Sequence, residues 1–547
     1  MRIRVQLDGA ALAAGLLVVA CGPAEDAPAP TAVGGPAGDE RAAAQILRVG
    51  NGAEPQTLDP HRAEGVPESN ILRDLFEGLV GEAPDGSLVP GAAESWTISD
   101  DGLLYTFQMR AEARWSNGAP VTARDFEFGL RRTVNPATLS VYSSVLFPIV
   151  NAEAIVDGEL PPEQLGVSAV DDRTLEIRLN SPTPYLLGLL THSTTYPVYP
   201  PNLDEHGDRF ARPGKLVSNG AYQLSDWVVQ SHVRLARNPN YWDDAGTEID
   251  EVWYYAIENP DAELKRYRAG ELDITDGLPY NQLKWVRENL ADELVIAPWF
   301  GSYYFGFNLS KPPFENAKDL RTALAMAIDR DILTRSVTGA GEIAAYGWVP
   351  PAAGYTGQQP AWADWTQAER NAEARRLYAQ AGYSAANPLR VEVLYNTNEN
   401  HKRISVAIAS MWKEQLGVET SLVNQEWKVF LDTKNRREDT QVFRAGWIGD
   451  YDDAYSFAQL MHSKNAQNDS AYLNPAYDAL LDQSARELDA EKRIALLEEA
   501  ERVLLEDLPI IPIYFYVSKH LVKPWVGGWT PNVMDRHPKK DFHILSH

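Results

Sequence analysis

The stretch FRAGWIGDYDDAYSF, residues 443–457, places three carboxylates, Asp450, Asp452 and Asp453, directly behind an apolar, aromatic run. Carboxylates so spaced suit a metal cluster, a catalytic acid or a counter-charge for a cationic ligand group. The calcium reading fails on spacing. An EF-hand loop needs glycine at its sixth position and glutamate at its twelfth, and counted from Asp450 those places hold Tyr455 and Met461. A catalytic acid would need machinery to serve, and the sequence has no GxSxG elbow, HExxH helix, GxxxxGKS/T loop or strand-borne GxGxxG. The histidines are scattered; the one pair at helical spacing, His543 and His547, lies in the last five residues, where chain ends fray. Asp452 and Asp453 read as a solvated acidic turn, and Asp450 stays open between that reading and the counter-charge.

The elements that would hold these groups belong to a long exported chain. At 547 residues it exceeds one ordinary hydrophobic core, and a 44% hydrophobic content suffices for several domains. A net charge of −26 repels phosphate backbones and anionic lipid surfaces, which argues against nucleic-acid binding. The start, MRIRVQLDGAALAAGLLVVACG, has a basic tip and an apolar run of signal-peptide length, too short to span a bilayer. It ends in VVAC, which resembles a bacterial lipoprotein signal (residues 1–20) cleaved before Cys21 and lipidated on that thiol. Cys21 is the only cysteine, so no internal disulfide is available. Residues 21–44, rich in Pro, Ala, Gly and acids, read as a flexible tether.

Beyond the tether, alternation predicts strands at ILRVGNG (46–52), TLEIRLN (174–180), HVRLARN (232–238) and LRVEVLYN (389–396). A Thr366/Glu369 capping box opens a helix that stops at Gly382. Asp489 caps a second, with Ile494, Leu497, Leu504 and Leu508 on one face, before the strand IIPIYFYV. Strands and helices mix throughout, so the class is α/β or α+β. Neither a repeat of about 20 to 50 residues nor a second membrane-length apolar run occurs.

YTFQMRAEARWSNGAPVTARDFEFGLRR (105–132) resembles the signature stretch of the peptide-type family of ABC-transporter solute-binding proteins. The likeness recurs in LVPGAAESW (88–96), NGAYQL (219–224), RNPNYWD (237–243), YRAGELDI (267–274), RTALAMAIDRD (321–331), LVNQEWKVFLDT (422–433) and LVKPWVGGW (521–529). It spans essentially everything after residue 45 and is strongest toward the oligopeptide- and murein-peptide-binding branch. The resemblance implies an α/β, two-lobe, type II periplasmic-binding-protein-like fold with a hinge and an extra inserted domain. Lobe I would comprise 45–76, 200–299 and 517–547, the extra domain 77–199, and lobe II 300–516.

The resemblance also implies site residues. Asp450 occupies the place of the aspartate that binds a peptide's α-amino group, a charge-assisted contact. Trp447, Trp427 and Tyr142 resemble pocket-lining aromatics. Glu64, Gly65 and Val66, in EGVPESN, resemble the segment that offers main-chain hydrogen bonds to the peptide. Gly446 and Tyr304 are carried over as ligand contacts, and Arg444, His401 and Lys434 as basic groups that receive peptide C-termini. Lys434 replaces the usual arginine and so loses bidentate recognition. Gly301 and Ile448 stand where relatives carry a cysteine pair, and Gly306 where they carry an acid near the ligand's C-terminal end.

The function implied is a periplasmic, lipid-anchored receptor that captures short peptides and delivers them to an ABC permease. It would use no catalysis, metal or cofactor, would touch the membrane only through its lipid, and would act as a monomer. A narrower receptor for murein peptides and an exported peptidase are the alternatives.

Overall fold

The computed structural model describes residues 40–352, 354–437 and 440–547. Cys21 and the signal segment lie outside the described residues. In chain order, β1 (Ile46–Gly50) and α1 (Val66–Leu75) lead to β2 (Ala93–Ile98), β3 (Leu104–Met109), α2 (Ala123–Val134), β4 (Val167–Ala169) and β5 (Thr174–Arg178). There follow β6 (Tyr222–Val228), β7 (His232–Arg237), β8 (Glu251–Tyr255) and the long β9 (Leu294–Phe307). The last third contributes β10 (Ile343–Ala344), α3 (Gln367–Gln380), β11 (Arg390–Asn396), α4 (Glu399–Leu416) and β12 (Glu419–Gln425). It closes with α5 (Trp427–Arg436), β13 (Val442–Ile448), α6 (Ala490–Asp507) and β14 (Ile510–Leu521).

These strands make three principal sheets: β1-β8-β7-β6, β2-β3-β5-β4 and the mixed β10-β14-β9-β13-β11-β12. The third is tied to the first through β9 and β14. Their far ends pair from Leu294/Leu521 to Pro298/Val517, and Ile274 bridges Val49 on one side and Val522 on the other. The register slips between Pro298 and Ser302, then pairing resumes from Ser302/Phe515. Two adjacent strands therefore cross from one body to the other with a single main interruption.

The sequence signals explain the local structure. Asp125, third residue of α2, accepts from Thr122 N at 2.7 Å and from the Trp115 indole at 3.3 Å, so the WSNGAPVTARD motif is a helix start pinned to a buried tryptophan. Thr366 and Glu369 form the reciprocal box that opens α3, and Gly382 beyond its end has φ +89°. Asp489 accepts from Glu491 N and Lys492 N at the start of α6, whose Leu497 and Leu504 are buried. The strand expected at 510–517 runs on to Leu521 because its second half pairs with the first half of β9.

Two expectations meet differences. Residues 40–44, assigned to the tether, are held by the C-terminal segment: Ala42 N donates to Ile544 O at 2.8 Å and Ser546 N to Glu40 O at 2.9 Å. Gly306, expected near the ligand, lies under the ring of its cross-strand partner Phe443 and lines no part of the cleft described below. Gly301 and Ile448 are likewise direct partners across β9 and β13, and Ile448 Cδ1 would lie 2.5 Å from a Cβ at position 301, so one large side chain fills the space of both.

Candidate ligand-binding site

Strand β13 is the spine of the site. It pairs with β9 along its whole length, but with β11 only at Val442 and Phe443. Among the described residues no strand pairs with its other edge from Arg444 to Ile448, leaving main-chain donors and acceptors for an extended ligand. Alternation sends Arg444 and Gly446 to one face and Trp447 to the other. The edge faces a cleft of two adjoining chambers, with cavities of about 300 and 150 Å³, whose walls share Val66, Trp299, Trp427, Gly446, Ile448 and Asp535.

All twelve residues carried over from the family resemblance line this cleft. Asp450, Trp447, Tyr142, Tyr304, Lys434, Glu64 and Gly65 face the smaller chamber, and Arg444 and His401 the larger. Val66, Trp427 and Gly446 border both. Helix α5 presents Trp427 and Lys434 seven residues apart on one face. His401 sits in the first turn of α4, where Asn398 caps by accepting from Asn400 N at 2.9 Å. Gly446 has a steric reason: the Tyr516 hydroxyl would lie 2.5 Å from a Cβ there, and that hydroxyl accepts from Arg444 Nη2 at 2.7 Å.

The smaller chamber is built around Asp450. Its main-chain N–H donates to Ser456 Oγ at 2.7 Å, yet side-chain Oδ2 is buried without a hydrogen-bond partner. His192 Nε2 stands 3.6 Å from Oδ1. Burial, with the positive charges of Arg73 and Arg536, holds that imidazole well below its ordinary pKa, so this contact supplies no cation at neutral pH. Burial pushes Asp450 up to about 7, against the opposing pull of Arg536 and Arg73. Among the described residues no arginine or lysine is in direct contact with this carboxylate, Arg73 and Arg536 acting on it only at longer range, and it faces the smaller chamber. Tyr142 covers the position, its ring tilted against His192 at 4.5 Å and stacked with Trp447 at 6.3 Å.

Lys434 is committed elsewhere. Its Nζ pairs with buried Asp469 at 2.6 Å in the Asp450 chamber, apart from Arg444 and His401. That placement balances Asp469 and Glu64 rather than offering a free cation to a carboxylate. In the larger chamber Arg444 lies over the Tyr303 ring at 4.6 Å and donates to Asn396 at 3.1 Å. Burial, then Arg444 and Lys519, keep His401 neutral.

The reading of Asp453 as a solvated turn residue is corrected. It forms a two-pronged pair with Arg493 of α6 at 2.7 and 2.9 Å and caps Tyr455 N at 2.8 Å. Asp452 is exposed, as expected. Reasoning from the sequence missed Arg73, His192, Asp469 and Arg536. None of the four sits in a motif that marks it; each acts through partners outside its own helix or turn.

Across the cleft mouth, amides of the β13 body reach the opposite one. Asn400 donates to Leu278 O at 2.9 Å and accepts from Tyr280 N at 3.1 Å, Asn398 donates to Glu258 O at 3.3 Å, and Asn435 to Glu64 at 3.1 Å.

A model of bacterial extracellular solute-binding proteins, family 5 (middle), matches residues 87–469. The chain belongs to that family. It is 43% identical over 520 residues to the periplasmic oligopeptide-binding protein OppA of Escherichia coli K12, covering 94% of this chain and 95% of that one. The Escherichia coli murein tripeptide binding protein MppA superposes with a TM-score of 0.91 at 40% identity, over 93% of this chain and 100% of the other. A structure of MppA in an unliganded open form, also 40% identical and covering 94% and 99%, gives a TM-score of only 0.65. The fold is therefore the two-lobe α/β architecture of family 5 with its hinge and inserted domain, and the lobes here are not set as in that open form. The relatives are binding proteins, and this chain is a solute-binding protein rather than an enzyme. No helix among the described residues is long and apolar enough to cross a membrane.

Proposed function

We propose that this protein is a periplasmic receptor that captures short peptides between its lobes and delivers them to an ABC permease, anchored to a membrane by lipid on Cys21. Lobe I comprises 45–76, 200–299 and 517–547, the extra domain 77–199 and lobe II 300–516. The peptide lies along the open edge of β13, its α-ammonium on Asp450 and its carboxylate toward Arg444. One observation carries this reading: Asp450 is a buried carboxylate whose Oδ2 has no hydrogen-bond partner among the described residues and whose neighbouring arginines, Arg73 and Arg536, are paired with Glu82 instead. An ammonium supplied by cargo completes it, whereas an interior carboxylate without such a partner is costly to keep. The unpaired β13 edge accounts for breadth, since main-chain pairing is indifferent to side chains.

Mass spectrometry of ligands carried through purification from the native host, followed by calorimetry with those species, tests the function. Ordinary peptides with free N-termini are expected. Murein peptides alone would narrow the receptor to cell-wall cargo, and the absence of any peptide would remove the reading. For the anchor, Cys21→Ser should move the protein from the membrane to the soluble fraction; a variant that still pellets with membranes counts against lipidation.

A further inference from the structure

On the lobe I wall of the larger chamber, three donor side chains converge that peptide capture leaves unused. They are His520 near the end of β14, and Asp535 and His537 in the loop that follows. Their ligand atoms lie within 4.8 Å of one another. His520 Nε2 is 3.1 and 3.0 Å from the two oxygens of Asp535, and His537 Nε2 is 3.0 Å from Oδ1.

The surroundings fix each group. His520 Nδ1 lies 2.7 Å from the carbonyl oxygen of Thr275, which can only accept. Nδ1 therefore carries a hydrogen, while Nε2, facing Asp535, donates its own to that carboxylate; a bound cation would replace this second proton, and Nε2 already points at the centre of the trio. Trp529 stacks on the His537 ring at 3.8 Å with planes 27° apart. Asp535 adopts φ +52°, a left-handed conformation that aspartate tolerates better than most residues. The loop is pinned there by Asn532, which donates to Arg536 O at 2.8 Å and accepts from Arg536 N at 3.2 Å.

We infer that His520, Asp535 and His537 form a binding site for a divalent transition metal of the zinc or nickel class, open on its fourth side to the ligand cleft. Two imidazoles and one carboxylate are borderline-soft donors, matched to zinc and its neighbours and poorly to calcium or magnesium, which require mostly oxygen. A tetrahedral ion about 2.0–2.2 Å from each donor sets them about 3.3 Å apart, so the 3.0 Å contacts of Asp535 with each imidazole need to open by a few tenths of an ångström, and the two imidazole nitrogens, which lie within 4.8 Å of each other, need to settle at that spacing. The hydrogen bond from His520 to a carbonyl is the outer partner that metal-bound imidazoles ordinarily have. Three protein donors at the wall of a cavity of about 300 Å³ leave the fourth position to water or to a donor atom of the cargo.

The test uses the untagged full chain, freed of metal with a chelator and titrated by calorimetry with zinc chloride and nickel chloride, with magnesium chloride as comparison. One equivalent of zinc or nickel, and no magnesium, is expected to bind at micromolar or lower concentration. His537→Phe keeps a ring for Trp529 to stack on, and His520→Arg keeps a positive charge facing Asp535; each should weaken zinc at least tenfold while circular dichroism shows the fold retained. Anomalous scattering at the zinc edge from zinc-grown crystals should place the ion among the three side chains. No stoichiometric zinc or nickel binding by the wild type, undiminished binding in either folded variant, or an ion located elsewhere overturns the proposal and leaves the trio as a hydrogen-bonded ion pair.

Discussion

Arg536 lies beside Asp450 without satisfying its side chain: the guanidinium donates to the main-chain carbonyl of Asp450 at 2.7 Å and to the Glu82 carboxylate at 2.6 Å. Arg73 also pairs with Glu82, at 3.1 Å. Glu82 thus sits between two arginines that would otherwise compete for Asp450, and the Asp450 side chain is left for a visitor.

Removing that carboxylate should cost binding heavily. Deleting one partner of a buried charge pair costs about 2 to 5 kcal/mol, much of it from the charge left behind. Asp450→Ala is expected to weaken a tripeptide at least about thirtyfold, since about 1.4 kcal/mol is tenfold. N-acetylation of the peptide should cost the wild type a similar factor, and calorimetry on the four combinations should show the two losses not adding. Asp452→Ala, on an exposed side chain, is the control. Full wild-type affinity for the acetylated peptide would show that Asp450 does not hold the amine.

The same group predicts a pH dependence. A carboxyl raised to about 7 in the fold keeps its proton where an unfolded aspartate, near 3.9, has lost it. The unliganded fold therefore holds an extra proton between about pH 4 and pH 7, and this group's contribution to stability falls as pH rises through that window. A bound ammonium favours the ionised form instead. Peptide should thus raise the melting temperature more at pH 8 than at pH 5.5, and its affinity should weaken as pH falls below about 7. Asp450→Asn should flatten both trends; an unchanged slope in that variant would assign the titration to another group.

Asp453, in contrast, should matter for stability. Arg493 is almost wholly buried and holds two hydrogen bonds to it. Asp453→Ala leaves that guanidinium unpaired and is expected to lower unfolding free energy by about 3 kcal/mol, read from urea melts. A loss below about 0.5 kcal/mol would mean that solvent reaches Arg493.

Asn400 spans the cleft mouth with two hydrogen bonds to the opposite lobe. At about 1 kcal/mol for each, Asn400→Ala should speed peptide release roughly fivefold to thirtyfold in stopped-flow experiments. Small-angle scattering of the unliganded variant should also show a larger radius of gyration. Unaltered release would mean that closure is set by the peptide alone.

What the sequence disclosed and what it withheld divide along one line. Local signals read true: the Thr366/Glu369 box, the Asp489 cap and the glycine after α3 act within a turn of themselves. The cleft-lining residues were found through motif likeness, and the fold brings all twelve of them to one cleft. What stayed hidden depends on partners that meet only in the folded chain. Arg493 is 40 positions from Asp453 and turns an apparent surface turn into a buried pair. Asp469 occupies Lys434 from 35 positions away, and Arg536 reaches Asp450 from 86. Charge alone could not show which cations were already engaged.

The crossing of β9 and β14 sets a limit on how cargo leaves. The two strands are stitched together on both sides of the wide slip between Pro298 and Ser302, so the lobes are joined there like pages on a spine. A peptide laid along β13, as proposed above, would lie between the two pages. For the cargo proposed above, departure and presentation become a single event, the bending of that spine between Pro298 and Ser302.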